Sequence, residues 1–287
     1  MDTSTGIGIT LALVAAFASG VESLLRRKIA IKINPLVCTF LFQGFAALFL
    51  LPLFITRFTQ PYLPHMWWLV VISGMLWAFA SLAMFKAYSY LEASTGSIIS
   101  RSKIILILFL SIIFLKESLN ALKILGTLLI FLGLVILYFK KGGRVFSLKD
   151  KGVQFMMLSI LLFSFALLID KTLVKFFDPG ALAFLLYAIP TFVLFFIVVG
   201  KKSSFTEITI KNISTIALTS LLSASFYFTV LSAFRFAEAN VVIPLTELSS
   251  LVTVFGGILF LKERSHIKKK ILAAIIVVIG AILIGLS

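Results

Sequence analysis

This sequence is short of charge. Asp, Glu, Lys and Arg make up 13% of its 287 residues, about half the share in a soluble domain. So few charges cannot cover a water-facing surface, and a water-soluble globule is excluded. Cysteine is nearly missing: Cys38 stands alone, which excludes an internal disulfide and a cysteine-rich metal site. The two histidines, His65 and His266, fall at loop ends with no carboxylate or cysteine constellation around them in sequence. Zinc chemistry and acyl transfer therefore lack their parts, and no catalytic residue, metal or cofactor is expected. No G-x-x-x-x-G-K-[ST] loop occurs, which speaks against direct ATP drive within the chain. No lysine or arginine precedes the first apolar run and no small-residue cleavage motif follows it, so no cleavable signal is expected.

What the chain has is apolar bulk. Hydrophobic residues make up 61% of it, with thirty phenylalanines against seven prolines, and the mean hydropathy is +1.15. At roughly 20 residues per membrane crossing this suffices for about nine or ten helices. Charged and Pro/Gly breaks divide the apolar runs into ten candidate spans, roughly 6–25, 35–56, 66–86, 93–115, 121–139, 152–170, 179–200, 212–234, 239–261 and 269–286. The fold class expected is an all-α polytopic membrane protein with the bilayer as its partner. Lysine and arginine outnumber acids 26 to 11, but they sit in short clusters between apolar runs, such as Arg26-Arg27-Lys28 and Lys268-Lys269-Lys270. That pattern belongs to loops on an anionic membrane face rather than to a nucleic-acid binder.

The chain repeats itself. A shift of 144 lays Gly8 on Gly152 and Pro35 on Pro179. A shift of 146 lays Leu91-Glu92-Ala93-Ser94 on Ala237-Glu238-Ala239-Asn240, and Phe114-Leu115-Lys116-Glu117-Ser118 on Phe260-Leu261-Lys262-Glu263-Arg264. Two homologous five-helix halves result, residues 1–145 and 146–287. Because five is odd, the second half must enter the membrane inverted, the architecture of secondary transporters with their site at the repeat interface.

Each half ends with an apolar span, a Phe-Leu-Lys-Glu turn and a Gly/Ala-containing span: Lys116-Glu117 before Gly126 and Gly133, then Lys262-Glu263 before Gly280 and Gly285. With Glu238 opening span nine and Pro244-Leu245-Thr246-Glu247 inside it, the chain resembles the EamA family of the drug/metabolite transporter superfamily. The resemblance implies ten helices in two inverted EamA repeats, a central cavity, alternating access, and peripheral spans five and ten.

Orientation follows from charge. Loops after odd-numbered spans hold seventeen Lys and Arg, loops after even-numbered spans six, so the positive-inside rule puts both termini outside the cell membrane. The family resemblance implies the opposite, with termini inside.

Ionisable groups within a span are costly and are functional candidates by default. Arg101 and Glu247 occupy matching positions at the 146 offset, each about 12 Å into its span at 1.5 Å rise per residue. They are candidates to grip opposite charges of a solute; the alternatives are a buried pair that locks the halves, or an Arg101 that snorkels. On an ideal helix Lys103 points about 200° away from Arg101, so the two should not share one cavity. Gln43 and Tyr187 are mates at the 144 offset and at the same depth. Trp77 shares a helical face with Ser73 and Ser81, and Tyr227 shares one with Ser220 and Ser223. These residues extend the candidate substrate layer, or they are helix-packing groups. Glu22 and Arg26, four apart, read as an interfacial pair or as a gating or coupling element; Asp170 and Lys171 read likewise. The glycines of spans five and ten mark packing seams and a candidate homodimer face.

The leading expectation is a secondary transporter, not an enzyme, that moves a small polar metabolite, an amino acid or related organic ion. A carrier of a phosphorylated or lipid-linked solute is the alternative within transport. An intramembrane enzyme and a scaffold are the alternatives of other classes.

Overall fold

The computed structural model describes residues 3–26, 34–59, 63–88, 90–91, 99–100, 102–138, 149–200, 209–260 and 267–287. Among them every regular element is helical. In chain order these are α1 (Thr3–Arg26), α2 (Pro35–Arg57), α3 (Met66–Tyr88), α4 (Lys103–Leu115), α5 (Ala121–Tyr138), α6 (Lys151–Leu173), α7 (Pro179–Gly200), α8 (Ile210–Phe234), α9 (Ala239–Thr246), α10 (Ser249–Phe260) and α11 (Ile267–Gly285). Six of them, α1, α2, α3, α6, α7 and α8, are long and apolar enough to cross a bilayer. Phe17, Leu48, Phe114 and Phe192 each stand at least 60% exposed. Such rings and aliphatic chains belong against lipid tails. The protein is a multi-pass membrane protein.

Local chemistry explains the helix starts. Asn34 accepts a bond from Leu36 N–H at 3.0 Å with Pro35 at the first position of α2. Asp178 accepts one from Gly180 N–H at 2.8 Å ahead of Pro179 in α7. In both places a side-chain oxygen satisfies an orphan donor and proline presets the helical φ. Hydroxyls inside the apolar helices bond back along their own chain, Thr56 to the Pro52 carbonyl and Thr191 to the Tyr187 carbonyl, each at 2.7 Å. No polar hydrogen of these two is thereby left facing lipid.

The main packing pairs cross between the halves: α3 with α6, α1 with α8, α2 with α7, and α5 with α11. Glycine permits the closest approaches. A Cβ on Gly8 would lie 2.5 Å from the Cβ of Ala237, and one on Gly152 would lie 2.7 Å from Cγ of Leu91. Three glycines of the expected dimer face, Gly126, Gly133 and Gly280, are engaged within the chain: a Cβ on Gly133 would lie 2.5 Å from Val277 of α11.

One expectation needs correcting. Residues 239–261 are not one continuous helix but two, α9 and α10, broken at Glu247-Leu248. Pro244 lacks an N–H and crowds the preceding turn. One turn later the N–H groups of Glu247 and Leu248 reach back three residues, to Pro244 and Leu245, each at 3.1 Å. The matching point of span four is also interrupted: Ser102 N–H bonds the Ile99 carbonyl at 3.0 Å before α4 begins at Lys103. Discontinuous helices at matching points of two halves are where transporters build their sites.

Candidate functional site

Asp170 sits three residues before the end of α6 and is fully buried. The sequence paired it with Lys171, and the structure separates them. Ser73 Oγ on α3 donates to Asp170 Oδ1 at 2.5 Å. One turn along α3, Trp77 Nε1 donates to Oδ2 at 2.9 Å. The Tyr227 hydroxyl on α8 donates to the same Oδ2. Lys171 faces the other way and donates to the carbonyls of Phe234 and Ala237 at the end of α8. Adjacent helical positions diverge by about 100°, so neighbours in sequence serve different partners. A buried carboxylate is tolerated because donors replace its water, and here three neutral donors do so.

Aromatic rings wall this carboxylate. Tyr227 stands edge-on to Trp77 at 5.1 Å and to Tyr187 at 5.7 Å, and Trp77 meets Phe163 at 4.9 Å. The Tyr187 hydroxyl on α7 lies 2.9 Å from Ser223 Oγ and 3.2 Å from the Ser223 carbonyl on α8. Trp77, Tyr187 and Tyr227, named from sequence spacing, thus form one cluster, together with Ser73 and Ser223. Gln43 on α2 is buried, 6% exposed, and its Oε1 has no hydrogen-bond partner. An unsatisfied acceptor at such a position is a standing demand for a donor.

Glu247 lies in the break between α9 and α10, 2% exposed, with Lys103 Nζ 2.9 Å from its Oε1. Arg101 lies outside the described residues. Glu22 is buried near the end of α1, and the side chain of Arg26, the last residue of that helix, lies outside the described ones. Among the described residues no group of three or more His, Cys, Asp or Glu is placed to hold a metal ion.

The face that carries both termini holds a cavity of about 580 Å³, lined by Thr5, Ser118, Lys123, Lys171, Glu238 and Ser287 among others. Its inner wall is a polar joint between the halves. Glu117 Oε1 accepts from Ala239 N–H at 2.6 Å and Oε2 from Asn240 N–H at 3.0 Å, so it caps α9 from the opposite half. Glu238 accepts from Ser118 N–H at 3.1 Å and from the Lys123 ammonium. Burial pushes the Glu238 carboxyl up, but Lys123 and Ser118 outweigh it and hold the group below the ordinary glutamate range. Sequence reading quoted these glutamates for their motif and missed their meeting, which only the pairing of α4 with α9 creates.

Two stretches, residues 6–139 and 150–286, each match the EamA-like transporter family. The chain belongs to that family. This EamA-like chain is 28% identical, over 80% of its own length and 83% of theirs, to proteins of two strains of Bacillus cereus and of Bacillus anthracis, each described as "Putative sugar uptake protein". A solved crystal structure superposes on it at a TM-score of 0.79, covering 98% of both chains at 15% identity, a likeness of fold. The chain is a transporter by family, and the buried polar cluster at the convergence of α3, α6, α7 and α8 is its candidate site.

Proposed function

We propose that this protein is a secondary transporter of a small polyhydroxylated solute, a sugar or polyol, working by alternating access at the cluster around Asp170. The observation that carries this reading is the Asp170 carboxylate, held by three neutral donors among aromatic faces. A carboxylate oxygen accepts solute hydroxyls as well as it accepts those of Ser73 and Tyr227. The rings of Trp77, Tyr187 and Tyr227 offer flat apolar surface to the C–H face of a pyranose. Gln43 adds an unsatisfied acceptor for a further hydroxyl. The relatives described as sugar uptake proteins support the same solute class.

The amino-acid reading drew on Arg101 and Glu247 as a zwitterion grip. Glu247 already faces a cation of its own chain, Lys103, which weakens its claim to a substrate amine. The crossing pairs α1 with α8 and α3 with α6, and the equivalent contacts of Gly8 and Gly152, support ten spans in two inverted halves, 1–145 and 146–287. The test is counterflow in proteoliposomes loaded with a panel of unlabelled sugars, polyols and amino acids. Exchange of labelled sugar, with none for amino acids, is expected; the reverse selectivity removes the sugar reading and returns Glu247 to the substrate.

A further inference from the structure

We propose that Glu117 and Glu238 form a latch that closes the termini-bearing face, and that this latch must release before the Asp170 cluster can open to that side. The inference rests on the transporter reading and adds the gate to it.

The latch joins the two halves reciprocally. Glu117, from the α4–α5 connection, takes the first two N–H groups of α9; Glu238, just before α9, takes Ser118 of that same connection and Lys123 in the first turn of α5. Asn240 Nδ2 closes the set by donating to the Ser118 carbonyl at 3.2 Å. The turn that aims Glu117 is unusual: Lys116 has φ 55° in the left-handed region, at the position after a helix where glycine is the rule. A lysine held there marks a backbone constrained by the bonds that Glu117 and Ser118 make to α9.

The latch is continuous with the site. Lys171, next to Asp170, donates to the carbonyl of Ala237, the residue before Glu238. Movement of the 237–240 segment therefore pulls on the end of α6 that carries the site's carboxylate. At its far end α9 reaches Glu247, joined to Lys103 at the start of α4, so α4 and α9 are tied at both ends. Ser118, Lys123 and Glu238 also line the cavity on that face, so the bonds among these three have room for water to replace them as they break. A seam of hydrogen-bonded charges can resolvate in this way, whereas a dry apolar seam has no such substitute. In sequence the same two segments recur 146 positions away as Glu92-Ala93-Ser94 and Lys262-Glu263-Arg264, outside the described residues. The sequence therefore carries the parts of such a latch twice.

The experiment reads accessibility, and so does not depend on knowing the solute. Ser223→Cys in a Cys38→Ala background places one thiol in the cluster, and a tag after Ser287 identifies the termini-bearing side of the vesicle. Glu117→Gln and Glu238→Gln should each raise labelling by a small charged methanethiosulfonate from that side by at least about tenfold. Unchanged labelling in both variants, with melting temperatures near that of the parent, overturns the latch. Should the variants fold poorly, the second arm uses Ser118→Cys with Glu238→Cys. A short bis-methanethiosulfonate across this pair should stop sugar counterflow, and reductant should restore it. Undiminished counterflow in the bridged protein overturns the latch. Absence of counterflow before bridging counts against the transporter reading alone and leaves the labelling arm to decide the latch.

Discussion

Gly126 and Gly280 face each other across α5 and α11 so closely that a Cβ on either would stand 2.6 Å from the other's carbonyl oxygen. Such a Cβ would strike backbone as well as the side chain of Ile284 or Ile130, and the backbone cannot turn aside. The two helices therefore owe their approach to two missing side chains. Gly126→Ala or Gly280→Ala must push α5 and α11 apart, at a cost of about 1–3 kcal/mol. Gly285, with nothing within 4 Å of an added Cβ, supplies the control. Melting in detergent should drop for the first two alanines and hold for Gly285→Ala; equal behaviour of all three would deny the seam.

The Lys103–Glu247 pair is a second separable element. Removing either charge takes from the other the partner it has here at 2.9 Å, while removing both removes the pair as a whole. Lys103→Met and Glu247→Gln should each destabilise, and the double variant should lose less than their sum. The coupling energy expected is of the order of 0.5–3 kcal/mol, reduced by the partial exposure of Lys103, whose side chain is 32% accessible. Strict additivity of the two melting shifts would mean that the pair does not act as a unit.

Much of this arrangement was legible in the sequence, and the part that was not has a physical reason. Helical periodicity put Trp77 with Ser73, and Tyr227 with Ser223, because residues four apart share a face. Repeat offsets matched the starts of α2 and α7, where Asn34-Pro35 and Asp178-Pro179 do the same work. Asp170 was misread because adjacency to Lys171 suggested an ion pair. Its true partners lie 97, 93 and 57 residues away, a pairing that tertiary packing alone decides. Pro244 carried the signal for the break in span nine, and its consequence lies one turn further on than the proline itself.

Orientation can be decided independently of the site. Seventeen Lys and Arg in one set of loops against six in the other predict that the termini-bearing face is outside. In a Cys38→Ala background, Ser118→Cys should react with an impermeant maleimide on intact cells and Ser147→Cys should not. The opposite pattern would place the termini inside, and with them the latch formed by Glu117 and Glu238.

The sharpest prediction concerns Asp170. Trp77 Nε1 can only donate, whereas the hydroxyls of Ser73 and Tyr227 can donate or accept. An asparagine at 170 can therefore keep its one oxygen on Trp77 and Tyr227 and turn its amide N–H₂ toward Ser73. Asp170→Asn should fold, with a loss near the 1.5–3 kcal/mol typical of a hydrogen bond to a charged group. A solute hydroxyl that donates to the carboxylate then loses its charged acceptor, and sugar counterflow should fall by at least about tenfold. Tyr227→Phe removes one donor and keeps the ring, so Ser73 and Trp77 still hold the Asp170 side chain and aromatic contact survives; its counterflow should fall less than that of Asp170→Asn. Comparing the two rates with the two melting temperatures separates solute contact from packing. If counterflow follows stability alone across both variants, Asp170 is a structural carboxylate and the solute binds elsewhere.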